Sequence, residues 1–202
     1  MPKKEWKPGN FIYPIPAVLI SCGNMEQSNI FTVAWTGIIN TNPPMCYISV
    51  RPERFSYNII KNTGEFVINL TNRELAYATD WCGVRSGAKY DKFKEMKLHK
   101  EKANHVSCPL IRESPVSIEC KVKEIRKRGS HDEFVAEILS IDADEKYIDD
   151  KGSFDISKCN LIAYANGGYY SLGKKIGTFG YSVRKNKKMI KWQQKEQENQ
   201  LH

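Results

Sequence analysis

The chain has 202 residues, of which 41% are hydrophobic and 27% charged, with 31 Lys and Arg against 23 Asp and Glu. This balance is that of an ordinary globular protein and excludes disordered, fibrous and collagen-like classes. No run approaches the roughly 18 consecutive apolar residues of a membrane helix. The opening residues, MPKKEWKPGNF, lack the apolar core of a secretion signal. We therefore expect a cytoplasmic protein with no membrane segment.

The cysteines argue against a metal site. The six thiols, at 22, 46, 82, 108, 120 and 159, are too far apart in sequence for the close pairs of zinc and iron–sulfur sites, and no C-x-x-C motif is present. Cys46 and Cys120 lie in apolar, strand-like runs, where a thiol packs as a small hydrophobe. The sequence predicts reduced thiols and no metal.

The net charge of +8 is concentrated in two places. Residues 184–202 carry six Lys or Arg and two Glu, and residues 121–128 carry five bases and one Glu. Such patches suit either nucleic-acid binding or a solvated surface. We favour the solvated surface, because the sequence contains no helix-turn-helix and no aromatic RNA-binding platform. We expect one domain over residues 1–183 and a basic, polar tail over 184–202.

Strand signals follow one another along most of the chain. Apolar or β-branched runs predict strands at 15–22, 29–39, 45–50, 65–70 and 116–123. The turn residues 129–132 predict that 133–141 returns as a hairpin partner, and 154–165 gives weaker strand or helix signals. Short helices are expected at 56–61, ended by Gly64, and at 73–81, capped by Asn72, whereas 82–113 is expected to be a polar loop. This pattern favours a mainly β fold, a largely antiparallel β-barrel with short helices.

Two segments place polar residues where a strand ends. NIFTVAWTG at 29–37 carries Asn and Thr in a density that a central strand normally avoids, although a half-exposed strand would explain them equally well. In SVRPERFSY at 49–57, a strand ends in Arg51 and Ser56 begins a helix. An Arg fork, a hydroxyl and a helix N-terminus together suit a phosphate, whereas surface arginines with a Ser cap are the plainer interpretation.

Two further segments are loops with polar side chains. CGVRSGAKYDKF at 82–93 offers Ser86, Gly87 and two lysines to an anion, but it is not a GxxxxGK[ST] phosphate loop. GSHDEF at 129–134 contains His131, which suits either a structural turn or a donor to a cofactor or substrate. No GxSxG nucleophile motif is present.

Taken together, these four segments resemble the flavin reductase-like family, and most closely its flavoredoxin branch. The resemblance covers roughly residues 8–182 and rests on NIFTVAWTG, SVRPERFSYNII, CGVRSGAKYDKF and GSHDEFVAEILSI in this order. It implies an FMN-binding split barrel of Greek-key type and a homodimer with FMN near its interface. It also implies an NAD(P)H-dependent FMN oxidoreductase.

The resemblance implies roles for individual residues. The flavin ring is expected along the strand from 29 to 36, through Asn29, Thr32, Val33, Ala34, Trp35 and Thr36. The cofactor is expected to extend past Val50, with its phosphate near Ser49, Arg51 and Ser56 and with help from Ser86, Gly87, Lys89 or Lys92. His131 is expected at the exposed flavin face, as the catalytic residue, and Tyr164 at the pocket rim.

Three functions follow from these observations. The first is hydride transfer from NADH or NADPH to FMN and then to an acceptor. The second is an electron carrier with tightly bound FMN that exchanges electrons with protein partners, to which a basic surface would attract an acidic partner. The third, a barrel that binds nucleic acid through its basic tail, is disfavoured by the absence of a nucleic-acid-binding motif.

Overall fold

Apolar, β-branched runs build the sheet that dominates the structure. The computed structural model describes residues 1–184. The strands are β1 (Ile15–Pro16), β2 (Val18–Gly23), β3 (Ser28–Val33), β4 (Thr36–Asn40), β5 (Met45–Val50), β6 (Glu65–Asn69), β7 (Lys100–Glu101), β8 (Leu110–Ile111), β9 (Val116–Lys127), β10 (Asp132–Ala143), β11 (Ile162–Ala165) and β12 (Gly168–Ser171). The α-helices are α1 (Phe55–Thr63), α2 (Ala76–Val84) and α3 (Lys92–Glu95). Short 3-10 turns lie at Glu145–Tyr147, Ile156–Cys159 and Tyr181–Val183.

Seven antiparallel strands form the main sheet, in the order β3-β2-β6-β9-β10-β5-β4. Its first and last strands, β3 and β4, are the two halves of the single extended segment predicted at 29–39. Only Ala34 and Trp35 separate them. The sheet therefore curls until one bent segment closes it, which is the predicted split barrel, and a closed sheet has fewer edges open to aggregation.

The interior of the curl holds the largest apolar cluster. Ile20, Ile48, Phe66 and Phe134 are fully buried there. The predicted hairpin of β9 and β10 is confirmed, and Cys120 lies in this cluster with Ile118 and Val122 packed against it. Strand β9 alternates between apolar and polar residues because one of its faces packs against the interior of the barrel.

Helix α1 connects the loop that follows β5 to strand β6. It spans residues 55–63, close to the predicted 56–61, and it ends as expected at Gly64, whose φ of 67° is in the left-handed region that glycine adopts without strain. Its buried residues include Ser56 and Tyr57. The helix thus carries two polar side chains from the β5 end into the protein.

Two predictions differ from the structure. Helix α2 begins at Ala76 rather than at Arg73, because Asn72 Oδ1 accepts a hydrogen bond from Leu75 N at 3.0 Å and caps the preceding turn instead. Residues 82–113 are not only a loop, since they contain α3 and the β7–β8 hairpin and bury Phe93 and Ile111. Their apolar residues follow neither helical nor strand periodicity, so pattern alone does not reveal these elements.

The chain divides into two compact units, residues 1–172 and 173–202. The weakly patterned segment predicted at 154–165 forms the 3-10 turn at Ile156–Cys159 and strand β11, which pairs with β1 and β12. The predicted domain end at residue 183 stays a prediction, and the basic tail from residue 185 onward lies outside the described residues. None of the helices within residues 1–184 is long and apolar enough to cross a membrane. All six cysteines are buried free thiols.

Candidate functional site

A groove runs along the line where β3 and β5 diverge. Its first part, which we call the tryptophan end, has a volume of about 170 Å³. The tryptophan end is lined by Phe31, Thr32, Val33, Ala34, Trp35, Ser49, Val50, Arg51, Arg54 and His131. The second part, the loop end, has a volume of about 130 Å³ and is lined by Asn29, Phe31, Glu53, Arg54, Phe55, Ser56, Val84, Arg85, Ser86, Gly87 and Lys92. Phe31 and Arg54 belong to both linings, so the two ends are adjacent, and together we call them the groove.

The groove exists because of the bend at Ala34 and Trp35. Beyond the bend, β4 pairs with β5, and Ser49 N still donates to Trp35 O at 2.9 Å. Before the bend, β3 turns away from β5 and pairs only with β2. The outward backbone groups of an edge strand lack ladder partners, so β3 presents hydrogen-bonding groups to the groove.

Two rings form the wall of the tryptophan end. The centroids of the Trp35 indole and the His131 imidazole are 4.4 Å apart, and the planes are tilted by 45°. His131 Nδ1 shares a hydrogen bond of 3.0 Å with Ser130 Oγ. Trp35 keeps 39% of its surface exposed. Paired rings with an open face suit the flat, amphipathic ring of a ligand.

The surroundings of His131 disfavour its charged form. Partial burial lowers the pKa of His131 first, and the nearby guanidinium of Arg51 and that of Arg54 lower it further, against the opposing carboxylate of Glu53. Since the ordinary pKa of histidine is about 6.5, His131 is neutral at pH 7. It can then both donate and accept a hydrogen bond at the groove.

A buried pair ties the His131 turn to α1. Asp132, the next residue, is 5% exposed, and its Oδ2 accepts a hydrogen bond of 2.5 Å from the Tyr57 hydroxyl. This bond raises the pKa of Tyr57. The Tyr57 ring also packs edge-on against Phe134 in the barrel interior. The hydrogen bond thereby joins the neighbour of His131, at the tryptophan end, to α1, which carries Ser56 of the loop end.

Cations concentrate at the loop end. Lys92 is only 3% exposed, and its Nζ donates to Cys82 O at 2.7 Å. Burial is the main reason that the pKa of Lys92 falls to about 8. Arg54 Nη1 donates to Gly83 O at 3.0 Å. A buried ammonium beside a guanidinium, with protons still to donate, is an arrangement that binds an anion well.

Close packing shapes the floor of the loop end. Asn29 Nδ2 donates to Ser56 Oγ at 2.7 Å, which joins β3 to the start of α1. A Cβ atom on Gly87 would lie 2.3 Å from Asn29 Oδ1, far inside contact distance. The loop can approach β3 this closely only because residue 87 has no side chain.

The structure brings most of the predicted site residues together in this groove. Those at the tryptophan end are Thr32, Val33, Ala34, Trp35, Ser49, Val50, Arg51 and His131. Those at the loop end are Asn29, Ser56, Ser86, Gly87 and Lys92. Ser49 and Arg51, which we expected beside Ser56, line the tryptophan end, whereas Ser56 lines the loop end, and their place near a phosphate stays a prediction.

Three predicted residues lie elsewhere. Thr36 Oγ1 donates to Tyr47 O at 2.6 Å within the β4–β5 pair. Lys89 is exposed on the loop and lines neither end. Tyr164 packs its ring between those of Tyr13 and Tyr169 in the small β1-β11-β12 sheet.

Several lining residues were not predicted from the sequence. They are Phe31, Glu53, Arg54, Phe55, Val84 and Arg85. Arg54 is the cation among them that lines both ends. Its signal was available: it belongs to the same strand-to-helix segment as Arg51, immediately before the first residue of α1.

The groove therefore has one cationic end and one aromatic end, joined by an edge strand. A family model described as the flavin reductase like domain matches residues 11–173. The chain belongs to this family. The match covers β1–β12 and every residue that lines the groove.

Similar proteins agree with this assignment. An uncharacterized protein of Archaeoglobus fulgidus is 30% identical over 141 residues, which cover 70% of this chain and 79% of the relative. The flavoredoxin structure of Desulfovibrio vulgaris (Miyazaki F) superposes with a TM-score of 0.83 at 29% identity and covers 90% of this chain and 100% of its own. The flavoredoxin structure of Methanosarcina acetivorans gives 0.82 at 26% identity, with 91% and 100% covered. The fold is thus the split barrel of flavin reductase-like proteins.

Proposed function

We propose that the chain is an FMN-dependent oxidoreductase that takes hydride from NADH or NADPH and passes electrons to an acceptor. The observation that carries this proposal is the groove, whose cationic loop end and aromatic tryptophan end match the phosphate and the ring of FMN. Family membership supports a flavin cofactor and flavin oxidoreductase chemistry.

The residues present fit the phosphate. Lys92 and Arg54 supply charge-assisted donors, and the hydroxyls of Ser56 and Ser86 line the same end. Gly87 leaves room for the loop to approach β3. These groups would hold a phosphate dianion from two sides, α1 and the 82–93 loop.

The residues at the other end fit a flat ring. Trp35 would wall one side, and the backbone of residues 32–34, at the end of β3 and the start of the bend, would offer hydrogen bonds to the ring. When bound, the flavin supplies the redox chemistry, accepting hydride from a nicotinamide and releasing electrons to an acceptor. Neutral His131 would face the ring and offer a hydrogen bond to the bound donor. The protein itself needs no nucleophile for this reaction.

The second candidate is an electron carrier that keeps FMN bound and exchanges electrons with other proteins. The likeness to two flavoredoxin structures, at 29% and 26% identity, favours it. The same groove serves both functions, so they differ in what reduces the flavin. A nicotinamide reduces the oxidoreductase, whereas a protein reduces the carrier.

We further propose that the chain forms a homodimer. Strand β4, at one end of the main sheet, carries Ile38 and Ile39 with exposed side chains close to Trp35 of the groove. An exposed apolar strand edge needs a cover. Sedimentation velocity of the purified protein tests this, and a monomer at micromolar concentration would contradict it.

The experiment that tests the function begins with the visible absorption spectrum of the purified, untagged protein. A flavin spectrum, with FMN released on denaturation, is the expected result. Anaerobic addition of NADH and of NADPH then separates the two candidates: bleaching within turnover times supports the oxidoreductase, and no bleaching supports the carrier. A colourless protein that also takes up no added FMN would contradict both.

A further inference from the structure

Arg51 differs from the other cations that line the groove. Arg54 donates to Gly83 O, Lys92 donates to Cys82 O, and Arg85 stacks over the Tyr90 ring at 5.9 Å. The Arg51 guanidinium, in contrast, has no ion pair, hydrogen-bond acceptor or aromatic partner within residues 1–184. It is also exposed to solvent.

The position of Arg51 separates it from the phosphate end. It lines the tryptophan end with Trp35 and His131, whereas Ser56, Ser86 and Lys92 line the loop end. The loop end already holds cations enough for one phosphate dianion. A cation at the open, aromatic end therefore remains uncompensated after that dianion has bound.

We propose that Arg51 is a docking site for the anionic group of the second substrate, an aromatic redox partner that carries a carboxylate or a phosphate near its ring. This inference rests on the proposed function, because the first ligand of the groove is taken to be FMN. A guanidinium forms paired hydrogen bonds with both carboxylate and phosphate oxygens, so the shared chemistry is a planar or tetrahedral oxyanion. The anion would bind at Arg51 and its ring would lie beside His131, whereas Trp35 walls the flavin ring.

Docking at Arg51 also bears on His131. The groups that face His131 are the cations Arg51 and Arg54, the carboxylate of Glu53 and the Ser130 hydroxyl, with the Trp35 ring stacked beside it. An anion that neutralises Arg51 removes part of the repulsion that keeps the imidazole uncharged. The docked ligand would therefore raise the pKa of His131, and by reciprocity the ligand would bind more tightly as the pH falls.

The test uses the FMN-loaded protein with three small probes: benzoate, phenyl phosphate and neutral benzamide. Binding is followed by the change in the flavin absorption spectrum, and the His131 pKa by NMR titration of the imidazole, assigned with His131→Asn. The variants are Arg51→Gln, Arg51→Lys and a matched control, Arg73→Gln, which removes an exposed arginine that lines neither end of the groove.

We expect Arg51→Gln to weaken the binding of both anions by about ten- to a hundredfold, as for the loss of a charged hydrogen bond. The dissociation constants of FMN and of benzamide should change by less than about twofold, because neither ligand is expected to lose a charged hydrogen bond in this variant. Arg51→Lys should recover part of the affinity, and Arg73→Gln should behave as the unmodified protein. Whichever anion binds more tightly identifies the carboxylate or the phosphate as the natural group.

Two results would overturn the inference. In one, Arg51→Gln weakens FMN itself and leaves the anion probes unaffected, so Arg51 belongs to the FMN phosphate. In the other, the FMN-loaded protein binds neither anion better than benzamide. Failure to take up FMN at all would instead contradict the proposed function, so the two failures are distinct.

Discussion

At the scale of single residues, the buried lysine is the most informative group in the groove. Burial holds the pKa of Lys92 at about 8, so its charge is present at pH 7 and is lost as the pH rises through and beyond 8. A phosphate monoester is already a dianion above a pKa of about 6 and does not change over that range. We therefore expect FMN affinity to fall steadily from pH 7 to pH 10.

The measurement is an FMN titration by fluorescence quenching at several pH values. Lys92→Met should raise the dissociation constant at pH 7 by about ten- to a hundredfold and flatten its pH dependence. Lys89→Met is the matched control, because Lys89 belongs to the same loop but lines neither end of the groove. An equal loss in the Lys89 variant would contradict this assignment of the phosphate lysine.

The second prediction at the scale of residues concerns the close approach of Gly87 to Asn29. In Gly87→Ala the new Cβ meets Asn29 Oδ1, so the loop or the Asn29–Ser56 hydrogen bond must move. FMN affinity should fall by about tenfold, the worth of one lost hydrogen bond to a charged ligand. Gly9→Ala, whose Cβ meets nothing within 4 Å, is the control in the same titration. Unchanged affinity in Gly87→Ala would show that the loop does not close on the ligand.

The sequence indicates residues of the site better than their partners. The polar residues of 29–36 and the loop residues 86–92 mark the groove because polar side chains within apolar surroundings are visible in a sequence. The sequence does not show whether Arg51 or Arg54 lies nearer the loop end. Both residues belong to the turn between β5 and α1, and only the path of the backbone in that turn separates them. The resemblance implies Tyr164 at the pocket rim, whereas in the structure its ring packs with Tyr13 and Tyr169.

At the scale of elements, the hydrogen bond between Tyr57 and Asp132 joins α1 to the first residue of β10. Tyr57→Phe removes only the hydroxyl and leaves the Asp132 carboxylate buried without its partner. We expect destabilisation by about 1–3 kcal/mol, measured as the free energy of unfolding in urea. The His131 turn should also lose its fixed position.

That positional effect has its own readout. The KM for the nicotinamide should rise more than the dissociation constant of FMN, because His131 faces the second ligand and Lys92 the first. Tyr47→Phe is the control: Tyr47 lies in β5 and contacts Gly37, away from Asp132. Equal changes in both constants would indicate general loosening of the barrel instead.

Elements were predictable where one face is buried along a regular strand. Strand β9 shows this, since its apolar residues alternate as the pleat requires. The bend at Ala34 and Trp35 was not foreseen, because both halves of the segment have the same strand-forming composition and the break is imposed by two different pairing partners, β2 and β5. The β7–β8 hairpin cannot be predicted from the sequence, because each strand has only two residues.

At the scale of the whole molecule, much of the positive charge is internally balanced. Four of the five bases at 121–128 form ion pairs with carboxylates, at N–O distances of 2.6–2.9 Å. The pairs are Lys121–Glu65, Lys123–Glu137, Arg126–Glu124 and Arg128–Glu133. This cluster is therefore a paired strand surface rather than an open patch for a polyanion.

The remaining excess charge bears on the carrier function. If an acidic protein is the electron partner, the bimolecular transfer rate should fall by about tenfold or more between 20 mM and 500 mM salt, because screening removes electrostatic steering. Stopped-flow measurements with the full chain and with a chain ending at residue 183 locate the charge responsible. A rate that ignores ionic strength would argue against an acidic partner.

The seam between β3 and β5 has a thermodynamic consequence. After the bend, β4 pairs with β5. Before the bend, β3 has no hydrogen-bonded neighbour on the side facing β5, and the groove begins there. A flat ligand bound there would accept and donate the hydrogen bonds that a neighbouring strand would otherwise make with the free edge of β3. Its binding energy then counts toward folding, and at a concentration 100 times its dissociation constant it adds about 2.7 kcal/mol. The bound cofactor would then contribute to the stability of the closed barrel.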